Sequence, residues 1–352
     1  MTRIATQNPP RKSRSWFLRI TGPLLVIAAL GFGWNYAWHK GAQVLDEKVS
    51  HLIRNSNDAG REIECTDRRI EGFPFRVGVF CNSVSLYAVR QGIRLNAGAF
   101  RSAAQFYAPG KLVGEMDGPL IASADSGDTY TADWSSLRAS ARVGLDGPHR
   151  ISFEAKKLNL STRAADATER FTAKVDGGEL HLRPTPGEDH ANAVDLAFLL
   201  DRLEFVSEAG FAYPAFALSA DLRLDGMRDE LRPGFNLLDH LRAKGISGEI
   251  RRAQFLPIKG GSVIVSGTFA VTPAGRLSAT LDVSSTETDA IARFLVGAFP
   301  EQAEIWQQLE QAVALLASAD KSGSGARKLT IEIDDGDVLV GPITVAEIPP
   351  LF

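Results

Sequence analysis

Hydrophobic and polar positions follow two different rhythms along this chain. Ile20 to Trp38 runs for 19 residues without a charge. At 1.5 Å per residue such a helix reaches about 28 Å, close to the hydrocarbon thickness of a bilayer. Pro23 falls in its first turn on this reading, where a missing N–H costs little. Residues 39–60 continue at helical spacing through Val44, Val49, Leu52 and Ile53, until the polar run Asn55 to Gly60 ends the pattern. Beyond it the period drops to two. Phe216, Leu218, Ala220, Leu222 and Leu224 alternate with Ala217, Ser219, Asp221 and Arg223, as in an antiparallel strand with one solvated face. Phe75 to Phe80 reads as a compact apolar strand and Thr129 to Val143 as one long run.

Glycine-led pairs punctuate the strands. Asp176-Gly177-Gly178 and Asp335-Gly336 read as hairpin turns, because glycine readily takes the positive φ such turns need. A Gly-x-Val-x-Val pattern begins at Gly261 and again at Gly336, as if one hairpin unit were reused in a meander. Two helical stretches interrupt the strands: Asn236 to Lys244, and residues 287–319. Thr286 and Asp289 are placed like a capping box for the second stretch, and Pro300 should divide it. Past Pro300, Ile305, Trp306, Leu309, Val313 and Leu316 form an amphipathic stripe suited to packing on a sheet. Lys321 to Lys328 reads as a flexible loop. The fold class predicted is mainly β with α additions (α+β): an N-terminal transmembrane helix, a long curved antiparallel β-sheet meander and a helical insertion.

Charge gives the helix an orientation. Of the 39 basic residues, Arg3, Arg11, Lys12, Arg14 and Arg19 all lie within residues 1–38, which hold no acid; the rest of the chain carries 34 basic against 42 acidic residues. Positive charge before an apolar run keeps that end in the cytoplasm and sends the following chain across. A cleaved signal peptide would need small residues at its exit, and here the run leaves through Trp34, Tyr36 and Trp38. The expected division is a cytoplasmic N-terminus over 1–15, a transmembrane anchor over 16–38, a membrane-proximal helix over 39–60 and an exported β-rich domain over 61–352. The mildly acidic body has no basic stripe with interleaved aromatics, which argues against nucleic acid as a partner.

Cys65 and Cys81 are the only cysteines. An even count in an exported chain points to a disulfide, worth roughly 3 kcal/mol in the chain-entropy model for a loop of this size. No metal or catalytic signature is present. None of the six histidines forms His-x-x-x-His, and there is no nucleophile elbow, phosphate-binding loop or dinucleotide fingerprint. His181 and His190 flank Glu188 and Asp189 in what reads as a solvated loop. Arg68-Arg69 and Arg251-Arg252 could meet phosphate headgroups or simply solvate the surface. No catalytic residue, metal ligand or cofactor is therefore assigned.

Gly72-Phe73-Pro74-Phe75-Arg76 is the segment that stands out. Pro74 fixes φ and holds Phe73 extended, so the chain should turn sharply into a strand, with both aromatics anchoring the corner in the core. Placed after an N-terminal apolar run and flanked by Cys65 and Cys81, this segment resembles the bacterial envelope family catalogued as domain of unknown function 2125. The ending Asp335 to Ile343 resembles that family's terminal hairpin, and the likeness covers roughly residues 15–350. The glycine-led hairpins are more distantly similar to AsmA-like envelope proteins, anchored in the inner membrane and implicated in moving or organising lipid. The first family has no established activity; the apolar run, its basic flank and the missing catalytic motifs lead to the expectation of a non-enzymatic, single-pass inner-membrane protein with a periplasmic body. Its expected partners are the inner membrane, phospholipid held in an apolar β-trough, or other envelope proteins for which it is a scaffold.

Overall fold

The computed structural model describes residues 14–58, 60–144, 147–166, 168–230, 236–303, 306, 318–319, 326–341 and 343–352. It opens with one unbroken helix, α1 (Arg14–Asp58), so the expected anchor and membrane-proximal helix are a single element. Because α1 starts at Arg14, Pro23 lies well inside it and not in its first turn. Among the described residues, no helix is long and apolar enough to cross a membrane.

The described residues after α1 build one open antiparallel sheet, with short helices added. The first ten strands are interrupted pairs: β1 (Arg61–Thr66) and β2 (Arg69–Glu71), β3 (Arg76–Cys81) and β4 (Ser83–Ala88), β5 (Ile93–Ala97) and β6 (Phe100–Gln105), β7 (Ala108–Met116) and β8 (Leu120–Ala124), β9 (Thr129–Asp133) and β10 (Ser136–Gly144). Longer strands follow: β11 (Gly147–Arg163), β12 (Glu169–Pro184), β13 (Val194–Val206), β14 (Ala212–Leu224), β15 (Ile246–Pro257), β16 (Ser262–Val271) and β17 (Leu277–Thr286). The short β18 (Ser318–Ala319) then precedes β19 (Arg327–Asp334), β20 (Asp337–Val340) and β21 (Ile343–Glu347).

The register shows that each interrupted pair is one strand. Arg61 faces Ala88 and Arg69 faces Phe80 on a continuous count, so β1 and β2 together lie along β4 and β3. β11 takes β10 along its first half and β9 along its second. Once the halves are joined, strands up to β17 pair with their neighbours in the chain, and β17 passes directly to β19 and on to β21. This is an up-and-down meander, as the repeated hairpin pattern suggested.

The interruptions fall on one line. Asp67, Asn82, the Gly98-Ala99 step, Asp117 to Pro119 and the Trp134-Ser135 step are register neighbours. The line continues through Lys157, Asp176 and Arg202, where the ladders skip a residue. Asp67, Lys157 and Arg202 take positive φ there, at 51°, 52° and 47°. An extra or displaced residue bends its strand and raises its twist, so aligned irregularities form a crease across the first half of the sheet. The crease is held locally. Trp134 Nε1 donates to Met116 O at 2.8 Å, and Lys157 Nζ reaches Asp176 Oδ1 at 2.9 Å.

Five sequence expectations meet this geometry. The run Thr129 to Val143 is cut by the crease at Trp134 into β9 and β10. Asp176-Gly177-Gly178 is no turn but the middle of β12, where Asp176 sits on the crease. Thr286 makes no capping box: α3 (Thr288–Ala298) begins after Glu287, which is left-handed and gives no side-chain cap, while Asp289 pairs with Arg293 one turn on. Asp335 and Gly336 do turn β19 into β20, with φ of 49° and 100°. The helix α2 (Leu237–Lys244) starts as expected, with Asn236 accepting from Leu238 N at 3.1 Å. The stripe beyond Pro300, apart from Trp306, and most of the 321–328 loop lie outside the described residues.

Candidate functional site

Period-two alternation gives this sheet two faces of opposite chemistry. On one face the register aligns Val77, Ala104, Leu112, Ala141, Ile151, Leu182, Leu196, Leu222, Ile250, Gly267, Leu281 and Ile331 in a single row from β3 to β19. Every member is apolar. At the usual spacing between strands this row is about 50 Å long. A second row, Phe153, Leu180, Phe198, Ala220, Ala253, Val265, Val283 and Leu329, runs beside it.

This face is only partly covered. In a closed core such side chains are nearly inaccessible. Here Leu112, Phe153 and Leu180 are 42%, 46% and 39% exposed, and Leu182, Leu196, Leu222 and Ile250 are half-buried. Val194 is the one large side chain fully buried among the described residues. Cover exists at the end of the sheet where β14 begins. There α3 lays Phe294 against Phe216 and Phe255, with ring centroids 5.8 and 5.0 Å apart. Phe299 follows against Tyr213.

The other face is a lattice of charge. Arg183, Asp195, Arg223 and Glu249 stand side by side on β12 to β15, and Arg101, Glu115, Arg138 and Glu154 on β6, β7, β10 and β11. Opposite charges on facing residues attract across the ladder. The centre of the lattice is Asp195, whose side chain is 7% exposed. Arg251 donates to it at 2.6 Å, Arg183 at 3.0 Å and the Thr185 hydroxyl at 2.8 Å. Burial pushes this carboxyl up, but hydrogen bonds from Arg251, Thr185 and Arg183 outweigh it, and the net shift is downward. Farther out, Arg101 holds Asp117 below the usual carboxylate range through a charged hydrogen bond.

The first edge of the sheet is closed by α1. Trp34 Nε1 donates to Pro74 O at 2.8 Å and Trp38 Nε1 to Arg76 O at 2.7 Å. Trp34 also meets Phe106 edge-on at 5.2 Å, and Arg68 reaches Asp46 at 2.9 Å. The Gly72 to Arg76 corner is thus a socket for two indoles. Gly72 itself needs its φ of 120°, and a Cβ there would lie 2.8 Å from the Arg76 carbonyl. The expectation that Phe73 and Phe75 anchor the corner in the core is corrected: they are 50% and 63% exposed, because Trp34 and Trp38 supply the inward contact. Cys65 and Cys81 are joined by a disulfide, with Cα atoms 5.3 Å apart, stapling β1 to the end of β3 away from this socket.

The remaining candidates resolve into surface contacts. His181 bonds Ser152 and Glu179, and His190 lies by Arg223. Arg69 pairs with Glu71, Arg251 with Asp195 and Asp221, and Arg252 with Gln254. Among the described residues, no group of three His, Cys, Asp or Glu could hold a metal ion. What the sequence reading missed is Asp195 and the two indole donors. The one available signal for Asp195 was an acid at the apolar start of a strand.

No curated protein matches the chain. A family model does match residues 38–349, from the Trp38 indole through the socket, the disulfide and the sheet to the last hairpin, and the chain belongs to that family, described as an uncharacterized protein conserved in bacteria (DUF2125).

Proposed function

We propose that this is a non-enzymatic envelope protein, held at the inner membrane by α1, that carries lipid acyl chains along the apolar face of its sheet. The observation that carries this reading is the unbroken apolar row from β3 to β19, half-exposed along much of its length. Water on such a surface is costly, and each methylene that replaces it gains about 0.8 kcal/mol. The row needs no specific head, and among the described residues no group of three His, Cys, Asp or Glu could hold a metal ion.

Three features support the placement. Leu24, Leu25, Val26, Ile27, Leu30 and Phe32 of α1 are all more than half exposed, with no cover from the sheet. Asn35 and the neighbouring glycines dilute this run, so insertion leans on its basic N-terminal flank and interfacial aromatics. The same flank keeps residues 1–15 in the cytoplasm and puts the body in the periplasm. The Cys65–Cys81 disulfide fits an oxidising compartment.

The test is face-specific crosslinking in intact cells. A benzophenone amino acid is placed at Leu180 on the apolar face or at Arg138 on the charged face of the full chain, followed by irradiation and mass spectrometry of the purified protein. A phospholipid adduct at Leu180 and none at Arg138 is expected. Protein adducts alone at Leu180 favour the scaffolding role through envelope partners. Equal lipid adducts on both faces, or none on either, overturn the reading.

A further inference from the structure

We infer that the sheet touches the membrane directly, through a footing of aromatic side chains on the two turns nearest residues 34–38 of α1. Phe73 and Phe75 sit in the turn between β2 and β3, and Tyr107 in the turn between β6 and β7. They are 50%, 63% and 66% exposed, and Tyr36 of α1 is 66% exposed. Exposed aromatics at turn tips are poor surface for a protein surrounded by water. At a headgroup layer the same rings are at home, because they are apolar with a modest polar edge.

The geometry fixes their level. The Trp34 indole binds Pro74 O and packs on Phe106, and Trp38 packs edge-on to Phe73 at 5.5 Å. Phe106 N donates to Phe75 O at 2.9 Å, tying the two turns together. Both turns are therefore pinned beside residues 34–38 of α1. The exposed apolar run ends at Phe32, which is two to six residues earlier, or about 3 to 9 Å along the axis. The interfacial layer on each side of a bilayer is roughly 5 to 8 Å deep. The turns thus stand where that layer would be if residues 24–32 are in lipid. Lys40, over the Tyr36 ring at 5.9 Å, and the exposed Arg76 add positive charge at the same level, facing phosphate.

Trp34 and Trp38, at the end of the apolar run, are turned inward to bind the sheet. The aromatics of the sheet's own turns take the interfacial position instead. This inference rests on the membrane-anchored reading and adds to it a second, strand-borne contact that would set the sheet upright on the leaflet and open its apolar face to lipid.

Depth-dependent quenching tests it. Single variants Ile27→Cys, Phe75→Cys, Tyr107→Cys and Ser126→Cys of the full chain are labelled with a small fluorophore and reconstituted into phosphatidylcholine–phosphatidylglycerol vesicles. Some vesicles carry spin labels high and others low on the acyl chain. Ser126 lies in the exposed turn between β8 and β9, at the opposite end of the strands. The expected result is about twofold quenching at Phe75 and Tyr107 by the shallow label, deep quenching at Ile27 and none at Ser126. Deep quenching at Ile27 with none at Phe75 and Tyr107 sinks the footing and leaves the anchor standing. No quenching at Ile27 sinks the anchor and the footing with it.

Discussion

The two faces of this sheet are made by the same strands, residue by residue, yet they satisfy their surfaces in opposite ways. On the charged face the contacts are internal: Arg251, Arg183 and Thr185 converge on Asp195, and neighbouring rows alternate in sign. On the apolar face the contacts are incomplete: Phe153 and Leu180 face outward with nothing from the described chain over them. The face that looks ready for water is closed on itself. The face that looks like a core is left open. On the proposed reading, stability and lipid binding fall to different sides of one sheet, and they should be separable by mutation.

The largest stability effect should come from Asp195→Ala. It leaves the Thr185 hydroxyl without its acceptor and removes the shorter of Arg251's two carboxylate contacts, the one to Asp221 remaining, a loss of about 2–3 kcal/mol once the partial exposure of both arginines is discounted. It is read as a lower urea midpoint at unchanged slope. An unchanged midpoint would show that the charged lattice is decorative. The same residue gives a pH signature. Its folded pKa is depressed, so its contribution is complete above the unfolded value near 4 and fades as pH falls through the folded one. Wild type should lose stability on acidification over that window more steeply than Asp195→Asn.

Leu180→Glu should do the reverse. In a closed core a carboxylate would cost several kcal/mol, but at a residue 39% exposed about 1 kcal/mol is expected. The same change should strongly reduce lipid crosslinking from a probe at Phe153, its cross-strand neighbour. A large loss of stability would mean that the face is covered after all. The smallest effect belongs to Arg101→Ala. Its bond to Asp117 is short, but both side chains are well exposed, so about 0.5 kcal/mol is expected, vanishing in high salt.

How much of this could be read in advance differs from element to element. The strand Phe216 to Leu224 was plain, because alternation with a charged outer side has no helical counterpart. Asp335-Gly336 and Asn236 were plain too, since a turn and a cap are settled by adjacent residues. The crease was not. It is made by Lys157, Asp176 and Arg202 lining up across three strands, and nothing at any one of them announces the others. Asp176-Gly177-Gly178 was misread for that reason: glycine marks a strand irregularity as readily as a turn. Phe73 and Phe75 were placed in the core because their partners were sought nearby, whereas the indoles that fill the socket lie some forty residues upstream. The apolar face itself was legible as a pattern, but period two is the same whether the opposing layer is protein or lipid.

The meander has one further consequence. In the joined strands up to β17, each finds its partner in the segment made just before it, so closing most pairs requires only a short loop, the longest connection being residues 225–245 between β14 and β15. A chain delivered from its amino end can be zipped one strand at a time onto an edge already ordered by α1 and the disulfide. It never has to wait for a distant segment. For the same reason length is an adjustable dimension here: one more hairpin would extend the apolar row by about 10 Å without disturbing the pairs before it. The architecture behaves as a ruler whose markings are hairpins, and the length of the apolar row can be reset by adding or removing them.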